Sequence, residues 1–441
     1  MSVDDEQILD SVTPWNPLSY SQQRLWLFQQ LQPMSLAYNL GGLLWFEGKD
    51  ITAEKIQHSL NEMVSAFPSL RSQFSEIEGK SAQRILPFSP VDYDCIDMQG
   101  GSDAVEVINQ DARKRWQQPF NLLEGNLARC CIYQVSEHRF AVLLATHHIV
   151  TDAWSFQIKI KMLVNSVAGK AYSGKEVQSY LDYAAEQAST EKSDIYKQQK
   201  AAWIENQFIG EESLSLSNLN DQSQDTYGAR HELVHLSKEI NDSIKLLGSE
   251  LGATKFEVLA SAMMLTLRQY SSNVHPSICV PALNRNAQNR RTVGFYVNSA
   301  VMGYRIDAEM SLSQLVNNTH ASMKASLAFE STPLEALVGD LPLPTTALNF
   351  RNHGDKLSIN TNGVFAEFEE FPVLETPFEL VLDVINKGDA PLRFVYAKEK
   401  FTRPFITKFI ESFKINLATI VQSPNAAVAS VNALSSKDMR L

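Results

Sequence analysis

His147 and His148 stand side by side in the stretch Ala145-Thr-His-His-Ile-Val-Thr-Asp-Ala-Trp-Ser155, and Asp152 follows four residues after the second histidine. An imidazole with a pKa near neutrality can take the proton of an amine or alcohol as that group attacks a thioester. The stretch is therefore a candidate acyl-transfer centre. Neighbouring side chains of an extended segment point to opposite sides, so the two histidines cannot both face one channel. Asp152 has two readings: a partner that orients the imidazole, as in hydrolase triads, or a helix cap and half of an internal salt bridge. The second is favoured. A metal reading would use His148 and Asp152 on one turn, but no third or fourth ligand follows at convincing spacing, so no metal centre is expected.

The surrounding elements give these residues a position. Phe140 to Ala145 is a continuous β-prone run, whereas Thr151 and Asp152 are N-cap types ahead of a helix-like run from Trp154 through Val164. The motif thus falls on a strand-to-helix loop. Trp154 either lines a substrate channel or belongs to the core. Upstream, Thr52 caps a helix whose apolar face is Ile56, Leu60, Met63, Val64 and Phe67, and Pro68 ends it before an extended segment at Leu70 to Phe74. Thr254 and Glu257 form a capping box for a helix through Leu267, and His275 to Ala282 reads as the next strand. A second box spans Thr332 to Glu335. Phe378 to Val384 alternates as a strand, a turn at Asn386 to Asp389 reverses it, and Ile406, Phe409, Ile410, Phe413 and Leu417 mark a late amphipathic helix. The class is mixed α/β (α+β).

A chain of 441 residues with 44% apolar content has enough material for two domains of roughly 150 to 250 residues each. The polar stretch after the Tyr180 region places the lobe boundary near residue 175. The net charge of −11 argues against nucleic acid and against an anionic membrane as partners. The acidic N-terminus reads as neither signal nor transit peptide, and no apolar run approaches membrane-spanning length, so a cytoplasmic protein is expected. Cys95, Cys130, Cys131 and Cys279 show no CxxC spacing, which makes buried thiols the better reading than disulfides or zinc ligands.

Several stretches in order carry a family resemblance: Pro17-Leu-Ser-Tyr-Ser-Gln-Gln-Arg-Leu-Trp26, Leu70-Arg71 to Phe74, His147-His148-xxx-Asp152, Tyr180-Leu-Asp-Tyr183, Val293-Gly-Phe-Tyr-Val-Asn298 and Pro333-Leu-Glu-Ala-Leu-Val338. Together they resemble the motifs of condensation domains of nonribosomal peptide synthetases, from about Pro17 to the closing segment at Leu434 to Leu441. The resemblance implies two chloramphenicol-acetyltransferase-like lobes in a V, with mixed sheets and flanking helices. On this reading residues 1–15 are an N-terminal extension, 16–175 the N-terminal lobe with the HHxxxD loop, and 176–441 the C-terminal lobe.

The resemblance also implies an activity. A thioester on the phosphopantetheine arm of an acyl or peptidyl carrier protein enters from one side, and a carrier-bound or small-molecule amine or alcohol acceptor enters from the other. No permanently bound cofactor is implied. The family assigns the channel to the second histidine, making His148 catalytic and His147 a packing or hydrogen-bonding residue. It suggests an arginine from the other lobe as partner to Asp152, and Arg285 in Leu283-Asn-Arg-Asn286 is the best match. Asn298 either hydrogen-bonds near the tunnel or caps a strand end.

Three features depart from the family pattern. Ala153 replaces the usual glycine after the motif aspartate, so that a methyl group would narrow the channel or remove backbone freedom. The arginine- and aspartate-rich motif is absent around Leu343 to Asn352, and Cys279-Val-Pro-Ala replaces a glycine-rich strand start. Two other functions stay open: a free-standing acyltransferase using acyl-CoA or a carrier-bound donor, and a non-catalytic carrier-docking domain. An intact His148 argues against the latter, which needs no base.

Overall fold

A computed structural model describes residues 13–101, 103–172, 174, 178–190, 193–206, 228–271, 274–334, 337, 343–351, 356–385 and 391–431. Residues 1–12 of the expected extension, the boundary at 175, Glu335 of the second capping box, Asn352, the turn at Asn386 to Asp389 and the closing segment from Leu434 lie outside the described residues. Contacts divide the chain into two compact units. The first comprises Met1–Ser193, Leu283–Val297 and Asp355–Pro372; the second comprises Asp194–Ala282, Asn298–Gly354 and Val373–Leu441.

The first unit is built around the strand Arg139–His147, which is buried from Phe140 through His147. Its apolar residues run without alternation because both faces are covered, and burying each Val or Leu contributes about 1.5–3 kcal/mol. It pairs antiparallel with Asn39–Glu47 and with Ala128–Ser136. Lys356–Thr361 and Val364–Glu370 extend the sheet beyond Asn39–Glu47, and Cys95–Asp97 closes its other side in parallel, giving six strands. Helix Ala104–Trp116 lies against the three central strands. Helices Ala53–Ala66 and Ala153–Val167 pack together and share a cavity with Leu144 and Thr146 of the central strand. A small sheet of Asn16–Pro17, Lys80–Ile85 and Ser72–Ile77 completes the unit.

Two segments depart from a division into 16–175 and 176–441. Val364–Glu370 pairs with Asn39–Glu47, with Phe368 opposite Leu44, and Leu283–Val297 is fastened to the helix start at Asp152. Strand pairing across some three hundred residues leaves no local trace, so the late segments join the first unit unannounced.

The second unit has a mixed six-stranded sheet in the order Asn298–Gly303, Ser277–Ala282, Thr346–Arg351, Leu380–Ile385, Leu392–Ala397 and Ala229–Val234. Thr346–Arg351 runs parallel to both neighbours; the other pairs are antiparallel. Helix Lys255–Tyr270 is buried at every residue from Phe256 to Leu267, as its near-uniform apolar sequence requires, and packs against helices Leu312–Leu327 and Arg403–Gln422. The Thr254–Glu257 capping box forms, and Thr402 caps the last helix, whose first turn contains Pro404.

All four cysteines are free thiols, but Cys95 is exposed and Cys130 half-buried, so only Cys131 and Cys279 match the expected burial. Cys95 lies on a three-residue edge strand, where one neighbour covers it. Among the described residues no helix is long and apolar enough to cross a membrane, and no three His, Cys, Asp or Glu side chains gather as a metal site.

Candidate active site

The central strand ends at His147, and the chain then makes a tight turn at His148–Val150 before Asp152 caps helix Ala153–Val167. The turn is held from several directions. The N–H of His148 donates to the Tyr38 carbonyl at 2.8 Å, and the buried Gln22 amide donates to the Ile149 carbonyl at 3.2 Å.

The two rings part company as the alternation requires. His147 is buried between Tyr38 and Phe120; its Nδ1 accepts from the Ile149 N–H at 3.1 Å, and its Nε2 lies 3.4 Å from Gln29 Oε1. A ring whose Nδ1 accepts carries its proton on Nε2. Burial pushes the His147 pKa down to about 3. His148 is half-buried, with its ring edge-to-face with Phe295 at 4.9 Å and with Tyr38 at 6.3 Å. Among the described residues its buried Nδ1 has no partner in hydrogen-bond geometry. Burial lowers its pKa; the Asp152 carboxylate and the carbonyls of His148 and Thr151 pull the other way, and Arg24 adds to the lowering. The ring is therefore neutral at physiological pH.

Asp152 is engaged elsewhere. Its Oδ1 accepts from the Ser155 N–H at 2.7 Å, which is the helix cap, and its Oδ2 accepts from the N–H groups of Tyr296 and Val297 at 3.0 and 3.3 Å. Arg285 Nη2 donates to both oxygens at 2.9 Å. Arg285 belongs to the same compact unit as Asp152. The arginine expected from the other lobe thus comes from a late segment that packs into the first unit. Its Nη1 donates to the carbonyls of Asn289 and Thr292 at 2.7 and 2.6 Å, and its guanidinium lies 4.1 Å above the Tyr296 ring. A carboxylate occupied in this way is not placed to orient the His148 ring.

Three further residues join this cluster without having been singled out by the sequence. Ser155 Oγ accepts from Arg285 Nη2 at 2.6 Å and donates to the Gly294 carbonyl at 2.8 Å. Tyr180 donates to the Phe295 carbonyl at 2.7 Å and bonds Ser19 Oγ at 2.8 Å. Gly294 is required by close approach, since a Cβ there would sit 2.1 Å from Tyr180 Cδ2. Ser155, Tyr180 and Gly294 all lie within the motif stretches, which is the signal that could have found them.

The remaining expected residues fall outside the immediate cluster. Ala153 is exposed at the first helical position, and its ordinary helical backbone has no need of glycine. Trp154 is half-buried rather than core; its indole N–H donates to the Arg290 carbonyl at 3.0 Å, with the Arg290 guanidinium 5.7 Å from the ring. Asn298 lies in the second unit, where its side chain donates to the carbonyls of Glu330 and Thr332 and accepts from the N–H groups of Ser299 and Leu334. The geometry is that of a strand-end cap.

Comparison with known proteins bears on the whole chain. The condensation-domain family profile matches residues 14–441. A linear gramicidin synthase polypeptide of Brevibacillus parabrevis is 26% identical over 440 residues, covering 93% of this chain. Tyrocidine synthase 3 of the same organism is 24% identical over 438 residues, covering 95%. The chain spans only 6% of the length of each of these relatives. Among solved structures, the starter condensation domain of rhizomide synthetase superposes with a TM-score of 0.78 at 20% identity, covering 96% of this chain and all of that one. The X-domain in complex with OxyB from teicoplanin biosynthesis gives 0.80 at 16% identity, covering 96% of each chain. These likenesses show the fold, and the profile match over nearly every residue shows the family: the chain belongs to the condensation-domain family.

Proposed function

We propose that this chain joins an acyl or peptidyl group, held as a thioester on the phosphopantetheine arm of a carrier protein, to an amine or alcohol acceptor, with His148 handling the acceptor's proton. One observation carries the assignment of His148: a neutral, half-buried imidazole stands on a turn fixed from several sides, next to a histidine that is fully committed to the core. The acceptor lone pair forms the new bond to the thioester carbon, and the carbonyl electrons move onto oxygen. His148 takes the proton released by the nucleophile. The C–S bond then breaks as the carbonyl re-forms, and the departing sulfur takes the proton from the imidazolium. The products are an amide or ester and a free pantetheine thiol. With Nδ1 buried, Nε2 is the nitrogen left to meet the substrate.

On this reading Asp152 and Arg285 are positioning residues, because their hydrogen bonds hold the turn and the Phe295 segment beside it. Trp154 fastens the same segment through the Arg290 carbonyl, and Asn298 has a structural role in the second unit. The test loads one acyl group on a carrier protein, on CoA and on a short thiol, and follows product by mass spectrometry. A carrier preference of at least about ten-fold is expected, since tethering replaces a tight pocket by effective concentration. Equal efficiency with CoA would point to a free-standing acyltransferase. Carrier binding without product from any donor would leave a docking domain.

A further inference from the structure

Gln22 and Gln83 are 1% and 0% exposed, and their side-chain amides meet between helix Tyr20–Leu31 and strand Lys80–Ile85. The Gln22 NH2 donates to Gln83 Oε1 at 3.1 Å, and the Gln83 NH2 donates back to Gln22 Oε1 at 2.8 Å. The two remaining amide hydrogens go to backbone. Gln22 donates to the Ile149 carbonyl at 3.2 Å and Gln83 to the Pro17 carbonyl at 3.0 Å, while Gln22 Oε1 also accepts from the Ser19 N–H at 3.1 Å. A buried amide pair gains little over apolar side chains of the same shape, because its groups leave water to enter the core. An apolar pair, however, could not hold the Ile149 carbonyl. Ile149 is the middle residue of the turn His148–Val150, so this bond fixes the turn one residue from the catalytic imidazole.

The start of the same helix reaches the other wall of that imidazole. Tyr180 gives its one hydroxyl hydrogen to the Phe295 carbonyl, so the bond between Tyr180 and Ser19 Oγ is donated by the serine. Ser19 Oγ in turn accepts from the Gln22 N–H at 3.2 Å, as the cap of the helix. One chain of bonds therefore runs from Ile149 through Gln22, Ser19 and Tyr180 to Phe295, whose ring stands 4.9 Å from that of His148. All of the side chains that carry it are buried.

We propose that Gln22, Gln83, Ser19 and Tyr180 form a positioning relay that sets the spacing between the His148 turn and the Phe295 ring, with Gln22 as its central residue. They act through the turn and the ring. The kinetic consequence rests on the condensation reading, and the placement of the imidazole rests on the geometry alone. A shift of the turn by about 1 Å costs a positioned group on the order of a hundred-fold in rate. It also opens the turn to water and relieves part of the burial that lowers the His148 pKa.

The experiment compares the full chain with Gln22→Met, which keeps the length of the side chain and removes its bonds, and with Gln83→Met, which leaves the Ile149 bond and unties Gln22 from the small sheet. Two readouts are taken where each protein is folded: kcat and KM for amide formation from a carrier-bound acyl donor, and the titration of the His148 ring by NMR, assigned by its loss in His148→Ala. Gln22→Met should lower kcat at least about ten-fold with KM within about two-fold, and should raise the His148 midpoint towards 6.5. Gln83→Met should do both to a smaller extent. Thr52→Ala removes the cap of a helix outside the relay and should leave both readouts as in the wild type. Unchanged kcat and midpoint in Gln22→Met, or the same changes in Thr52→Ala, would overturn the relay. If Gln22→Met does not fold, Gln83→Met decides by the same readouts. A wild type that forms no product would remove the condensation reading, and the His148 midpoint would then decide the relay by itself.

Discussion

Both carboxylate oxygens of Asp152 lie 2.9 Å from a single nitrogen of Arg285, and each of the two side chains is only 1% exposed. The pair joins a helix N-terminus to a segment 133 residues later, and Arg285 in turn closes that segment through the carbonyls of Asn289 and Thr292. Removing either partner strands a buried charge, so Asp152→Ala and Arg285→Ala should each lower stability by about 3 kcal/mol or more. The double variant should lose less than the sum, with a coupling of at least ~1 kcal/mol. Urea unfolding of the four proteins checks this, and additive losses would leave Asp152 as a local cap.

The two histidines should separate cleanly in kinetics and stability. His148→Ala is expected to reduce amide formation by about a hundred-fold or more while the melting temperature changes little. In the wild type, kcat/KM should rise with pH through an apparent pKa below 6.5, because burial favours the unprotonated, active ring. That limb should vanish in His148→Ala. A variant keeping more than about a tenth of the rate would make His148 a positioning residue.

His147 should report in acid. Its folded pKa of about 3 lies below the unfolded value of 6.5, so the folded state binds fewer protons in that window and stability falls as pH drops through it. His147→Asn places an amide oxygen where Nδ1 accepts from Ile149 and removes the titration. Its stability should depend less steeply on pH between 3 and 6.5 than the wild type's, as measured by denaturant midpoints.

Local chemistry was legible where the chain itself carries the signal. Thr52 and Asp152 cap their helices, the Thr254–Glu257 box forms, and the strand before the histidines forms on its apolar run, continuing two residues past Ala145 to His147. The partnership of Asp152 with Arg285 came through the family resemblance, since nothing local connects residues so far apart. The allocation of 283–297 and 355–372 to the first unit was not legible, because it depends on strand pairing and side-chain bonds across the chain. Lys159 escaped notice for a different reason. In a run such as Ile158-Lys-Ile-Lys-Met162, periodicity does not distinguish the lysine that faces inward from Lys161, which is exposed.

Gly294 links the Phe295 segment to Tyr180 by space alone. An alanine methyl would fall 2.1 Å from Tyr180 Cδ2, inside a ring that also holds the Phe295 carbonyl and Ser19. Gly294→Ala should destabilise by about 1–3 kcal/mol, typical of overpacking, and should depress turnover because Phe295 stands against the His148 ring. Thermal melts and steady-state rates check both; a variant with wild-type values in each would show that Tyr180 yields freely.

Lys159 makes the protein's stability depend on pH on the alkaline side. Its folded pKa of about 7 lies below the unfolded value of 10.5, so between these limits the unfolded chain binds more protons and stability rises with pH. The destabilisation is complete below pH 7 and absent above 10.5, and at ~1.36 kcal/mol per unit it amounts to on the order of 5 kcal/mol. Cys130 works in the opposite sense from pH 9 towards 12, because its folded thiol holds its proton longer than the unfolded one. The comparison that isolates the lysine is therefore wild type against Lys159→Met. The variant should be the more stable of the two at pH 7, and the gap should shrink steadily as pH rises towards 10. A constant gap across that range would mean that the lysine is buried without a depressed pKa.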